Sequence, residues 1–293
     1  MTQRPAPIAR DYGKYFDEIA GEYDSTRPAY PDKLVDQACQ VAGLGRRDHV
    51  LEIGCGTGQL TRSLLARGLR VTAVEPGKNL VALATKKLEG AGAIEFINAR
   101  FEDVPRIHGH FAAVFSASAL HWVDPEVSWR KIADVLVPGG TLALLSYFEV
   151  EEQRTKDDQD TMLAALSRVA PEVATTVPSY RDLDATLAGA EQRRGNVSAV
   201  WAWLGNHDVA QDYARDLFDD VQVSVIPLLV EHTADELNAI LRTMSYYPML
   251  GPAQRQALER ENEAIYERLG RPIRSSTVAT LVTAHAMPSA AEH

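Results

Sequence analysis

The sequence is poor in several things, and each shortage excludes something. It holds two cysteines in 293 residues, Cys39 and Cys55. Two such isolated thiols form neither a disulfide framework nor a metal or redox pair, so a reduced, cytoplasmic setting is the expectation. No apolar run approaches the roughly 20 residues that span a bilayer. Met1 to Arg10 is polar and proline-rich, without the apolar stretch of a secretory leader. Dense basic runs are missing too: Arg46-Arg47, Lys86-Lys87 and Arg193-Arg194 are only pairs, and the net charge is −10. Proteins that grip phosphate backbones do so by displacing counterions with clustered Lys and Arg, so a nucleic-acid partner is disfavoured. His108 and His110 have no second cluster at ligand spacing and read as a polar loop, not a metal site. The acidic run around Asp157, Asp158 and Asp160 reads as a solvated surface. No internal repeat or low-complexity tract is present.

What remains is ordinary globular composition, 45% hydrophobic and 24% charged. The chain exceeds the roughly 100–200 residues of a typical domain, which implies two domains or one with an insertion. From 34 to 148, helical and strand periodicities alternate. Strands are expected at His49–Ile53, Arg70–Val74, Ile94–Asn98, Ala112–Ser116 and Thr141–Phe148. Helices are expected at Leu34–Val41, Gln59–Ala66, Leu80–Leu88 and Pro125–Leu136. Alternation of this kind implies an α/β, Rossmann-like, mostly parallel sheet with helices on both faces. From 149 to 220 the pattern turns mainly helical and reads as an insertion. Strand pattern returns at Val221–Glu231. Thr233 and Glu236 form a capping box, a helix follows at Pro252–Leu269, and a strand at Thr277–Ala284 completes a sheet of about seven strands. The expected organisation is a cap segment (1–33), a ligand-binding core (34–148), a helical substrate insertion between strands five and six (149–220), C-terminal elements that complete the sheet (221–286), and a tail (287–293).

The strongest local signal is Val50-Leu51-Glu52-Ile53-Gly54-Cys55-Gly56-Thr57-Gly58-Gln59: a buried strand, a tight glycine turn and a helix start. Glycines belong where backbone turns sharply or lets a ligand approach closely, and ligands on such sheets sit at the carboxyl ends of the strands. A dinucleotide fingerprint requires Gly or Ala at the position of Gln59. A pyrophosphate on the helix N-terminus is also poorly served by the nearby Glu52. S-adenosylmethionine, which carries an ammonium and a sulfonium but no phosphate, suits that carboxylate better. Glu75 ends the second strand, where an acid can accept both hydroxyls of a ribose.

These residues resemble class I S-adenosylmethionine-dependent methyltransferases, through Leu51–Gly58, Val74-Glu75-Pro76, Phe101-Glu102-Asp103-Val104-Pro105, Ser116–Val123 and Leu136–Gly140. The His121-Trp122-Val123 run is similar to the small-molecule branch that includes trans-aconitate methyltransferase-like proteins. The resemblance covers roughly Phe16 to Phe148. It implies that Gly54, Cys55, Gly56, Gly58 and Gln59 line the cofactor, with Glu52 on the methionine amine and Glu75 on the ribose. Pro76 would pack on the adenine, and Phe101 and Glu102 would edge it, because Arg100 stands where many relatives carry aspartate. Ser116 would contribute backbone near the amine. Tyr23 and Arg27, from a segment that folds over the cofactor in relatives, would close the site, with Arg27 near the cofactor carboxylate; the plainer reading is a helix packed on the sheet. The products would be S-adenosylhomocysteine and a methylated small molecule.

Methyl transfer from a sulfonium needs alignment and exclusion of water more than acid or base. His121 is the best-placed base candidate, with packing as its alternative. Trp122, Trp201 and Trp203, together with Tyr23, are candidate substrate walls; Tyr246 and Tyr247 are candidate lid aromatics. Two other readings stay open: a non-catalytic cofactor-binding protein, and an NAD-dependent oxidoreductase on the same fold class. The acceptor and the oligomeric state are not written in the motifs.

Overall fold

The structure is a computed structural model that describes residues 9–105, 107, 110–177, 180–206 and 212–288. In chain order it contains α1 (Ala9–Glu18), α2 (Ala20–Thr26), α3 (Asp32–Val41), β1 (His49–Ile53), α4 (Gln59–Ala66), β2 (Arg70–Val74), α5 (Lys78–Lys87), β3 (Ile94–Ile97), β4 (Phe111–Ala117), α6 (Pro125–Val135) and β5 (Leu136–Glu151). Then come α7 (Lys156–Val169), α8 (Pro171–Ala174), β6 (Arg181–Asp182), α9 (Leu183–Glu191), α10 (Val197–Gly205), β7 (Phe218–His232), α11 (Ala234–Arg242), α12 (Pro252–Leu269) and β8 (Ile273–Ala286). Among these elements no helix is long and apolar enough to cross a membrane.

The main sheet runs β3-β2-β1-β4-β5-β8-β7, and the two-residue β6 pairs with β5 off this path. Strands β1 to β5 pair in parallel, while β8 is antiparallel to both β5 and β7. Side chains of successive strand residues leave on opposite faces, which builds two cores. Leu51 and Ile53 face a core shared with Trp129 and Ile132 of α6 and Val200 of α10. Val50 faces the other, shared with Leu34 and Val35 of α3 and Leu60 and Leu64 of α4. The expected fold class, a Rossmann-like sheet with helices around it and an insertion after the fifth strand, is the fold observed.

Three details differ from the expectation. Strand β5 starts earlier, at Leu136, across a register shift next to the left-handed Gly139. It also runs on past Phe148: Glu149 pairs with Thr277 of β8, and Val150 with Arg181 of β6. The charges at Glu149 and Glu151 mask this stretch, because periodicity alone reads a charged strand end as loop. Asp158, expected on a solvated surface, has a side chain only 3% exposed. It accepts hydrogen bonds from both Arg271 guanidinium nitrogens (2.7 and 2.8 Å) and from the Arg274 N–H (2.9 Å). The Arg271 hydrogen bonds hold its carboxyl below the usual range. The partner lies 113 residues downstream, beyond the reach of any local pattern.

The insertion packs on itself as well as on the sheet. Trp203 donates through Nε1 to the Thr186 carbonyl (2.8 Å), and the guanidiniums of Arg181 and Arg193 both lie over its ring. Gly189 makes this possible, since a Cβ there would fall 2.3 Å from the indole. Gly189→Ala is therefore expected to destabilise the protein by about 1–3 kcal/mol through overpacking, read as a lower midpoint in urea unfolding, whereas Ala190→Gly next to it relieves no clash and should not reproduce this mechanism.

Candidate functional site

The site begins where β1 ends. Gly54, Gly56 and Gly58 all take left-handed backbone, with φ of 72°, 55° and 87°. At Gly54 there is also no room: a Cβ would lie 2.3 Å from the Ala119 Cβ in the turn after β4. Just before the turn, Glu52 is 1% exposed, and its Oε2 accepts from the Thr61 hydroxyl (2.7 Å). Burial pushes the Glu52 carboxyl up to about 7, with the charge of Glu75 adding to the shift and the Thr61 bond opposing it. Glu75, at the end of β2, accepts the Gly56 N–H on one oxygen (3.0 Å) and the Gly77 N–H on the other (2.9 Å). Burial raises its pKa, against the pull of those two donors. Among the described residues neither carboxylate forms an ion pair with Lys or Arg.

The N-terminal segment forms a roof over this floor. Asp17 accepts from the Asn79 and Leu80 N–H groups at the start of α5 (2.6 and 3.1 Å). Asp24 accepts from the Thr57 hydroxyl (2.6 Å) and ion-pairs with Lys87. Tyr30 shares a hydrogen bond with Ser118 (2.6 Å), and the Tyr147 hydroxyl donates to the Ala29 carbonyl (2.7 Å). On the other side, Tyr15 donates to the Arg242 carbonyl, and Arg27 Nη2 to the Thr243 carbonyl (2.6 Å). Phe16 packs edge-on to Tyr23 and against Trp122.

Roof, floor and insertion enclose a cavity of about 1300 Å³, above the roughly 300–1,000 Å³ of an ordinary small-molecule site. Tyr23, Arg27, Glu52, Gly54, Cys55, Gly56, Gln59, Glu75, Pro76, Phe101, Glu102, His121, Trp122 and Trp201 all line it. Arg27 Nε and Gln59 Nε2 are buried without a protein partner. His121 and Trp122 sit on the turn after β4, with ring centres 4.6 Å apart, and Trp201 of α10 lies 6.4 Å from His121. Glu102 is already engaged, accepting from Arg100 (2.8 Å) and from the Asp124 N–H (3.1 Å). The Phe101 carbonyl accepts from Lys131 (2.6 Å).

Three expected site residues do not reach the cavity. Gly58 caps α4 and lies against α5, where a Cβ would fall 2.8 Å from Leu88; it is a packing glycine. Ser116 is 2% exposed and donates to the Ile53 carbonyl (3.0 Å), fastening β4 to β1. Trp203 faces Thr186 and Gly189 inside the insertion. Tyr246 and Tyr247 likewise pack with Leu166, Leu241 and Leu258 rather than on the cavity. His108 and the tail at 289–293 lie outside the described residues, and no group of metal-ligating side chains occurs among those described. Sequence reasoning missed Glu149 and Tyr180, which line the cavity, and the latches Asp17, Asp24, Tyr30 and Tyr147. Nothing local marks the latches, because each is defined by a partner distant in sequence.

A doubly wound sheet with a glycine loop after β1, an acid after β2 and a cavity over the strand ends defines a nucleotide-type ligand site. Residues 51–144 match the family described as "Methyltransferase domain". An uncharacterized methyltransferase of Mycobacterium tuberculosis is 37% identical over 136 residues, 46% of this chain and 53% of its own length. The chain thus spans about half the length of that curated relative. A demethylmenaquinone methyltransferase of Clavibacter sepedonicus is 27% identical over 213 residues, 70% of this chain and 82% of its own. Among solved structures, a candidate type II methyltransferase from Anaeromyxobacter dehalogenans has the same fold, with a TM-score of 0.57 at 20% identity over 89% of this chain and 99% of that one. Residues 51–144 of this chain are thus similar to a methyltransferase domain, on a fold shared with that solved structure.

Gly54→Ala is expected to destabilise the fold and close the floor of the cavity, combining the Ala119 clash with a left-handed penalty of about 1–2 kcal/mol. Adding Ala119→Gly should recover only the steric part. Urea unfolding of both variants separates the two contributions.

Proposed function

We propose that this protein transfers the methyl group of S-adenosylmethionine to a small-molecule acceptor bound in the same cavity. The observation that carries the reading is the pair of buried carboxylates, Glu52 and Glu75, that flank the glycine loop without a cation of their own. Isolated buried charge is costly unless paired. A ligand with an ammonium and a ribose diol, and no phosphate, supplies what these two groups lack; a pyrophosphate would meet repulsion instead. The unpartnered Arg27 Nε and Gln59 Nε2 at the roof and floor fit a ligand that also bears a carboxylate and hydrogen-bonding edges. The residues present therefore suit this cofactor.

In this reading Glu52 faces the ammonium and Arg27 the carboxylate. Glu75 takes the ribose hydroxyls on lone pairs left free by Gly56 and Gly77. Pro76 and Phe101 flank the adenine. Bound S-adenosylmethionine supplies an electrophilic methyl group whose departure leaves a neutral thioether. The roof excludes water and holds the acceptor in line. Trp122 and Trp201 wall the acceptor side, and the insertion supplies much of the remaining wall. His121, with Trp122 and Trp201 near its ring, is the candidate to take a proton from an acceptor that must lose one.

Calorimetric titration with S-adenosylhomocysteine tests the reading. Saturable one-to-one binding is expected, weakened tenfold or more in Glu75→Ala, with no binding of NADH. A folded protein that ignores S-adenosylhomocysteine, or prefers NADH, would sink the proposal. Binding without turnover of any acceptor would favour the non-catalytic alternative.

The affinity should also depend on pH, with a sign fixed by Glu52. The form that attracts a cation is the carboxylate, and it dominates only above about 7. Affinity should therefore rise roughly tenfold from pH 6 to pH 8 as the ionised fraction grows, and Glu52→Gln should flatten the profile. Without ligand the sign reverses for stability: ionising a carboxyl whose folded pKa is raised costs stability as pH climbs from its unfolded value through about 7.

A further inference from the structure

The cavity continues beyond the level at which β4 stops. Ala117, the last residue of β4, pairs with Leu145, and β5 runs on through Ser146, Tyr147, Phe148 and Glu149, all lining the cavity. Val150 pairs with Arg181, which sets Tyr180 beside Glu149. Burial raises the pKa of the Glu149 carboxyl while the Tyr180 hydroxyl opposes the shift, and burial together with the Glu149 charge raises that of the Tyr246 hydroxyl. Among the described residues no Lys or Arg ion-pairs with Glu149. Arg181, the cation on the same wall, is committed elsewhere: its guanidinium lies over the Trp203 ring and donates to the Trp203 carbonyl. Burial holds His232, another lining residue, toward its neutral form. The cavity that Glu149 faces is lined in part by apolar and aromatic residues, among them Phe148, Val177, Leu204 and Trp201. A carboxylate that faces such a space with one neutral donor is under-compensated, because a single hydroxyl bond restores less than desolvation removes. Burial accordingly pushes its pKa up, against the Tyr180 bond. A cation would complete the set by pairing with the carboxylate.

We infer that Glu149 and Tyr180 form a recognition site for an ammonium group, so that the acceptor molecule carries an amine, held there in its protonated form, on an apolar or aromatic body. The word acceptor rests on the methyl-transfer reading; the cation site itself does not. Glu149 acts here in recognition: it lies four residues past the level of Ala117 along an extended strand, away from the turn that carries His121.

The test compares three probes of matched size, 2-phenylethylamine, 2-phenylethanol and 3-phenylpropanoate. Each is titrated into the full chain with and without saturating S-adenosylhomocysteine, near neutral pH. The amine is expected to bind at least about tenfold tighter than the other two. Glu149→Gln should abolish that preference, and Glu149→Asp should retain part of it; unchanged unfolding midpoints show that both variants are folded. If the alcohol or the acid binds as well as the amine, if the amine does not bind, or if Glu149→Gln keeps the preference, the inference is wrong. S-adenosylhomocysteine binding without amine preference overturns this inference alone. Amine preference without S-adenosylhomocysteine binding overturns the methyl-transfer reading and leaves the cation site standing.

Discussion

Everything around the ligand cavity depends on one carboxylate holding two turns together. Glu75 reaches from the end of β2 to the Gly56 N–H in the glycine loop and the Gly77 N–H ahead of α5. Backbone donors in a tight turn have no helix or sheet partner of their own, and here one side chain satisfies a donor from each of two neighbouring turns. The left-handed Gly54 and Gly56 allow the loop to pass beneath it. Burial raises the pKa of Glu52, and the charge of this same carboxylate adds to the shift, so floor geometry and part of the floor electrostatics have a common origin.

Against this fixed floor the rest of the enclosure is assembled from distant parts of the chain. The roof comes from α1, α2 and the segment to Tyr30, latched to α5 by Asp17 and Asp24, to the turn after β4 by Tyr30, and to α11 and the residue after it by Tyr15 and Arg27. The far wall comes from the overrun of β5, with Val177 and Tyr180 beside it. Each latch is a polar contact at the edge of the cavity. The enclosure is therefore defined by side-chain pairing rather than by continuous backbone.

The core was legible because its signals are local. Strands β1 and β2 and helices α4 and α12 fall at the expected residues, since alternation, glycine turns and a proline at the start of a helix each act within a few positions. The glycine loop and the acid after β2 were legible for the same reason. What could not be read depends on tertiary pairing. Asp158 looks like surface until Arg271 is placed beside it. Trp203 looks like a pocket wall until Gly189 takes it inside the insertion. Gly58 belongs to the glycine pattern, yet its missing side chain makes room for Leu88. Glu149 disappears into a charged stretch that only its pairing with Thr277 reveals as strand.

Strand β8 lies between β5 and β7 although it follows both in sequence. During synthesis β7 therefore leaves the ribosome before the strand it will pair with. Until β8 emerges, the open edge of β5 and the whole length of β7 present unsatisfied backbone, the kind of edge that templates aggregation. The first half of the molecule can close its parallel sheet as it is made, strand by neighbouring strand. The second half must wait, and a nascent chain of this protein exposes its longest unpaired strand edges in the interval between the two strands.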